Sequence, residues 1–147
     1  MSDTEKLEQI EVLYARSKRL FPEVVDLTVD ELDRLRESED VLLVDARNPQ
    51  EQEVSMLPGA IRAQELEQSL ADHRSRTLVV YCTIGHRSGL LAQKLQASGL
   101  KVYNLKGAIL SWTHAGNELV DSQGPTRRVH VAGPNWNLAA DGYEPVW

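Results

Sequence analysis

The chain has 147 residues, of which 41% are hydrophobic, and its formal net charge is −6. This length and composition predict one folded domain with a real core and argue against a disordered chain. The acidic balance argues against a general nucleic-acid surface, and no run of Lys and Arg is long enough for a polybasic membrane patch. Residues 1–6 are polar, and no apolar stretch could span a bilayer, so we expect a cytoplasmic protein with no nucleic-acid or membrane partner.

Cysteine and histidine usage limits the kinds of site that the chain can build. Cys82 is the only cysteine, which excludes an internal disulfide and a site made of several thiolates. His73, His114 and His130 lie far apart without ligand spacing. The sequence therefore predicts no metal and no cofactor, and it leaves Cys82 as either a small core residue or a reactive thiol.

The first residues predict a helix that stands apart from the rest. Apolar residues recur on roughly one face over residues 2–20, and Pro22 stops the pattern. We interpret residues 1–22 as an added N-terminal helical extension.

Strands and helices then alternate along the chain. Thr28 and Glu31 fit a capping box that opens a helix, and Gly99 lies where a helix end favours a left-handed residue. A loop is expected after Pro49, reaching residues 57–61. The predicted elements are strands at 24–27, 41–44, 78–81 and 102–105, and helices at 28–37, 63–70, 88–97 and 107–114. This alternation indicates an α/β fold with an open parallel sheet covered by helices on both faces.

The C-terminal part has a different composition. From residue 121 onward the chain is rich in Gly, Pro and Asn, and only residues 129–131 look like a strand. Trp136, Tyr143 and Trp147 predict that this tail packs on the domain, because large aromatic side chains are costly to leave in water. The predicted organisation is therefore an extension (1–22), a domain (23–120) and a packed, irregular C-terminal extension (121–147).

Cys82 occupies the position that points most strongly to chemistry. It follows the apolar strand 78–81 and precedes a turn and a helix. Such a loop directs backbone N–H groups and the positive end of a helix at one point, which stabilises an anion such as a thiolate. Asp45 and Arg47 follow the strand 41–44, and the carboxyl ends of parallel strands share one edge of the sheet. We therefore predict an active site at this edge, with Cys82 as its nucleophile.

Three separated motifs resemble those of the single-domain rhodanese family of sulfurtransferases. They are residues 44–60 (VDARNPQEQEVSMLPGA), 81–88 (YCTIGHRS) and 102–112 (VYNLKGAILSW). The resemblance covers about residues 24–120. It departs from the family pattern at Ser55 and Met56, where Gly-His is usual, and at Ala108, where a second Gly often stands. Both departures bear on loop geometry more than on chemistry.

The resemblance implies a rhodanese-like sheet of about five parallel strands and covalent catalysis in two steps. Cys82 would take a sulfane sulfur from a small anionic donor such as thiosulfate and hold it as a persulfide. Cyanide, a thiol or a sulfur-acceptor protein would then remove it. The implied activity is that of a rhodanese-type thiosulfate sulfurtransferase without a cofactor.

The same resemblance assigns roles around the cysteine. Gly85 would allow a tight turn, Arg87 would attract the donor anion, and Ser88 would cap the helix and donate a hydrogen bond to the sulfur. His86 would either tune the thiolate or merely fit the loop. The residues expected to bind substrate are Thr83, Ile84, Gly85, His86, Arg87, Ser88 and Arg47. Asp45 and Glu51 are expected to support the site, and we favour a structural pairing of Arg47 with one of them over contact with substrate.

Three other functions stay open. Dual-specificity phosphatases and arsenate reductases share the scaffold, but their loop is one residue longer between cysteine and arginine than the four residues that separate Cys82 from Arg87. A non-catalytic rhodanese module is disfavoured because such modules typically lose the cysteine. A sulfur relay to a partner protein is the third, with the two extensions as its docking surface.

Overall fold

A computed structural model describes all residues from 1 to 147. Its centre is a parallel sheet of five strands in the order β1-β5-β4-β2-β3, which confirms the predicted open α/β sheet. The strands are β1 (Val25–Leu27), β2 (Val41–Asp45), β3 (Ile61–Arg62), β4 (Thr77–Tyr81) and β5 (Val102–Leu105).

Six α-helices surround this sheet. They are α1 (Asp3–Lys18), α2 (Val29–Ser38), α3 (Pro49–Val54), α4 (Ala63–Gln68), α5 (His86–Ala97) and α6 (Ala108–His114). The predicted capping box of Thr28 and Glu31 is present at the start of α2. None of the helices is both long enough and apolar enough to cross a membrane.

The main departure from the sequence prediction lies after β2. Residues 49–54 were expected to form a loop, but they form α3. Asn48 caps this helix by accepting a hydrogen bond from the Glu51 amide, and the Glu51 carboxylate accepts one from the Asn48 amide. Pro49 suits the first turn because its missing N–H is not needed there. The segment has almost no apolar periodicity, so its capping signals were the only clue. The two-residue strand β3 was also missed.

Strand β4 lies in the middle of the sheet, and all five of its residues are buried. It pairs in register with β2, so that Asp45 lies opposite Tyr81 at the carboxyl end of both strands. A strand buried on both faces is expected to be uniformly apolar, as its sequence TLVVY nearly is. The register places the residue after Tyr81, which is Cys82, at the edge predicted to hold the site.

The C-terminal segment is more regular than its composition predicts. It forms an antiparallel pair, β6 (Leu119–Asp121) with β7 (Gly124–Thr126), and a parallel pair, β8 (Arg128–His130) with β9 (Glu144–Val146). Tyr143 is buried and Trp136 packs against the core, as expected, but Trp147 is exposed. The single predicted strand at 129–131 thus corresponds to β8, shifted by one residue.

Candidate active site

Cys82 lies in a short loop between β4 and α5, as predicted, and only 1% of its surface is exposed. The Gly85 amide donates a hydrogen bond to the Cys82 sulfur over 3.2 Å. On the other side of the loop, the Ile109 and Leu110 amides of α6 donate to the carbonyl groups of Cys82 and Thr83. These bonds fasten the backbone of the loop to α6.

Gly85 is required at its position for two separate reasons. Its φ angle is +127°, a conformation that side-chain-bearing residues rarely adopt. In addition, a Cβ atom at this position would lie 2.5 Å from Cε1 of the Tyr14 ring. The added helix α1 therefore packs directly against the backbone of the cysteine loop.

We expect Gly85→Ala to destabilise the protein by about 3–5 kcal/mol, because backbone strain and overlap with Tyr14 add together. Gly99→Ala is the matched control, since Gly99 has a φ of +88° but no atom within 4 Å of the added Cβ. This control should lose only about 1–2 kcal/mol from strain. Denaturant unfolding measures both losses, and equal losses would contradict the packing role of Gly85.

Arg87 forms a two-pronged ion pair with Glu51 of α3. Its terminal nitrogens donate to the two carboxylate oxygens over 2.6 and 2.9 Å, and one of them also donates to the Thr83 hydroxyl over 3.1 Å. Burial alone would raise the pKa of Glu51, but the Arg87 guanidinium outweighs burial and lowers it. Glu51 was predicted to support the site, with Arg47 as one expected partner, whereas its partner here is Arg87. The ion pair fastens the cysteine loop to α3.

The pair predicts a pH-dependent contribution to stability. Because the pKa of Glu51 is lowered from its ordinary value of 4.5, the pair stabilises the fold above that pH and is lost as the pH falls through the folded-state value. We expect Glu51→Gln to cost about 1–3 kcal/mol at neutral pH, and this cost should shrink in acid. Glu53→Gln, at an exposed position of the same helix, should be nearly neutral. An unfolding free-energy difference that stays constant with pH would contradict the assignment.

Arg47 is held in a buried ion pair beside the ring of Tyr81. Its side chain has no exposed surface, and it donates to Asp45 over 2.8 Å and to the Ser55 carbonyl over 2.6 Å. The Tyr81 hydroxyl donates to the same carboxylate over 2.6 Å. Burial would lower the pKa of Arg47, but Asp45 outweighs it and raises that pKa. The structure therefore places Arg47 with Asp45, the pairing that we favoured, and buries its guanidinium.

Two predicted loop residues face other parts of the fold. The His86 Nδ1 lies 2.9 Å from the Ser17 hydroxyl of α1. Ser88 is buried in the first turn of α5, where Gly85 is the N-cap residue, so the expectation that Ser88 caps the helix was wrong. The Ser88 hydroxyl lies 3.4 Å from the Cys82 sulfur and 2.6 Å from Oδ1 of Asn104.

Three residues near the loop were missed by the sequence reasoning. Asn104 is a fully buried polar residue in an otherwise apolar strand, which was a usable signal. Tyr14 and His130 come from the two extensions, and nothing local in the sequence placed them here. The His130 Nδ1 lies 3.9 Å from a Glu51 oxygen, and burial lowers the pKa of this histidine. Helix α1 and the C-terminal segment thus both reach the candidate site.

The model of the rhodanese-like domain matches residues 28–115, which is more than half of the chain. The chain belongs to the rhodanese-like family. A sulfurtransferase from Allochromatium vinosum is 37% identical to it over 98 residues, which cover 62% of this chain and 89% of that protein. The family match and this relative support a rhodanese-like sulfurtransferase, in agreement with the resemblance of the three motifs.

Solved structures agree with the fold. The thiosulfate sulfurtransferase from Pseudomonas aeruginosa superposes with a TM-score of 0.60 at 24% identity, covering 84% of this chain and 24% of that one. A protein of unknown function from Rhodopseudomonas palustris, described as a possible tyrosine phosphatase, superposes with a TM-score of 0.57 at 27% identity, covering 74% and 91%. The first likeness concerns the rhodanese-like fold alone. The second likeness also concerns the fold.

Proposed function

We propose that this protein transfers sulfane sulfur through a persulfide on Cys82, with thiosulfate or a similar small anion as donor and cyanide or a thiol as acceptor. The observation that carries the proposal is the Gly85 amide 3.2 Å from the sulfur of a cysteine at a strand end. A backbone donor held in this way favours an anionic sulfur. The family match supports sulfur transfer in general.

The proposed reaction has two half-reactions. In the first, the Cys82 thiolate attacks the outer sulfur of thiosulfate, the sulfur–sulfur bond of the donor breaks, and sulfite leaves with the bonding electron pair. In the second, cyanide attacks the terminal sulfur of the persulfide, and Cys82 leaves as a thiolate while thiocyanate is released. Neither half-reaction needs a cofactor, a metal or an external oxidant, because sulfur is transferred between nucleophiles.

The loop geometry supports sulfur over phosphate as the cargo. Four residues separate Cys82 from Arg87, and the Arg87 guanidinium is already paired with both oxygens of Glu51. An arginine that binds phosphate holds two of its oxygens in the same two-pronged geometry that Glu51 occupies here. Arg87 therefore serves the loop as an anchor and contributes little free positive charge to an oxyanion.

The test supplies the purified protein with thiosulfate and then with cyanide, and measures thiocyanate. We expect thiocyanate at a rate that rises with protein concentration. A parallel assay offers an aryl phosphate, which should not be hydrolysed. If the protein hydrolyses the aryl phosphate and forms no thiocyanate, the proposed function is wrong and the phosphatase alternative is favoured.

A further inference from the structure

A chain of polar groups leads from the Cys82 sulfur to the added helix α1. Its central member is Asn104 of β5, which has no exposed surface. The Asn104 Oδ1 lies 2.6 Å from the Ser88 hydroxyl, and its Nδ2 lies 3.0 Å from the Gly85 carbonyl and 3.1 Å from the Tyr14 hydroxyl. Asn104 therefore contacts both groups that approach the sulfur, the hydroxyl of Ser88 and the backbone of Gly85.

The direction of these hydrogen bonds follows from what each group can donate. The Gly85 carbonyl only accepts, so the amide nitrogen of Asn104 must face it and the amide oxygen must face Ser88. Since that oxygen only accepts, the single hydroxyl proton of Ser88 is directed to Asn104. The Ser88 oxygen lies 3.4 Å from the Cys82 sulfur. With its only proton on the shorter bond to Asn104, it has a lone pair free to accept a hydrogen bond from a thiol.

The hydrogen bonds at the far end of this series, around Tyr14 and Asp26, point the same way. Tyr14 and Lys18 both donate to Oδ1 of Asp26. Burial and the Asp26 carboxylate raise the pKa of Tyr14, so the phenol keeps its proton and donates it to Asp26. The Tyr14 oxygen is thereby left to accept from Asn104. Every hydrogen bond in the series is then donated in the direction from Cys82 to Asp26. In such a series, each hydrogen bond strengthens its neighbours.

We propose that Asn104, supported by Tyr14, is a positioning residue that holds the Ser88 proton and so favours the protonated, sulfur-free form of Cys82. This inference rests on the proposed function, because its role would be to keep the sulfur-free Cys82 thiol less reactive between two rounds of sulfur transfer. Cys82 in the persulfide form has no S–H proton to donate to Ser88. The Gly85 amide still donates a hydrogen bond to its sulfur. The restraint therefore acts on the empty cysteine and not on the persulfide.

The other ionisable residues near the sulfur are left unchanged in the test. They are the ion pair between Arg87 of α5 and Glu51 of α3, His130 of β8 beside that pair, and His86 of α5, which is bonded to Ser17. None of them is hydrogen-bonded to the Asn104 side chain. A substitution at Asn104 thus changes the orientation of Ser88 without removing a charge.

The test measures the alkylation rate of Cys82 by iodoacetamide across a range of pH. In Asn104→Leu the Ser88 proton loses its Asn104 acceptor and turns to the sulfur. Alkylation at neutral pH should then be about fivefold faster, the effect of one net hydrogen bond. The midpoint of the pH profile should move to lower pH. In a Ser88→Ala background, Asn104→Leu should have no further effect.

Tyr14→Phe repeats the test with a gentler change, because the ring that packs on Gly85 is kept. Its alkylation should also be faster than in the unchanged protein, by about twofold, since one member of the chain is lost. Slower or unchanged alkylation in both variants, or acceleration that persists in the Ser88→Ala background, would overturn the inference. Alkylation needs no sulfur transfer, so failure of the proposed function is recognised separately, by the absence of thiocyanate.

Discussion

We expect the Cys82→Ser variant to lose sulfur transfer from thiosulfate to cyanide by about 10³-fold or more, because no other group of the chain can form the persulfide. A serine hydroxyl stays protonated near neutral pH and does not bind sulfur in this way. The substitution changes one buried atom, so the fold should be retained. Initial rates of thiocyanate formation measure the loss, and circular dichroism checks the fold.

The control for this experiment is Asp40→Asn. Asp40 lies before β2, at the opposite end of the sheet from the cysteine loop, and its side chain is 72% exposed. Its variant should form thiocyanate at the same rate as the unchanged protein. Thiocyanate formation that survives in Cys82→Ser would show that the sulfur is carried elsewhere.

We expect Asp45→Asn to destabilise the protein as strongly as Gly85→Ala. Asp45 and Arg47 form an ion pair without exposed side-chain surface, and the Tyr81 hydroxyl also donates to the carboxylate. Removing the negative charge leaves a buried guanidinium unpaired, which should cost about 3–5 kcal/mol. The free energy of unfolding in denaturant measures this loss.

Two comparisons distinguish the cost of an unpaired buried charge from the cost of a general loss of packing. Asp40→Asn removes the same charge from an exposed pair with Arg76, and it should cost less than about 1 kcal/mol. Adding Arg47→Met to Asp45→Asn removes the unpaired charge and should recover part of the lost stability. If Asp45→Asn costs no more than Asp40→Asn, the buried pair does not have the assigned role.

The central sheet and the position of Cys82 were predictable because their signals are local. Strand β4 is a continuous apolar run, and α5 repeats apolar residues at helical spacing, so the junction that contains Cys82 was fixed by neighbouring residues. Helix α3 was missed because only six residues form it and few of them are apolar. Its stability comes from capping and from the bond between Glu51 and Arg87, which joins distant parts of the chain.

The surroundings of the cysteine could not be predicted in the same way. Tyr14 is separated from Gly85 by most of the first half of the chain, and His130 reaches Glu51 from the C-terminal segment. Such contacts depend on how elements pack and leave no periodic signal in either segment. Asn104 was the exception, since a polar residue inside a buried strand requires hydrogen-bond partners. Its role could have been anticipated, but its partners could not.

The most direct test of the account is the intact mass of the protein before and after incubation with thiosulfate. We predict that the protein becomes heavier by one sulfur atom, that the added mass maps to Cys82, and that cyanide removes it. The account would be contradicted if no sulfur is gained from thiosulfate, mercaptopyruvate or a cysteine-desulfurase persulfide while the protein hydrolyses an aryl phosphate in a Cys82-dependent way.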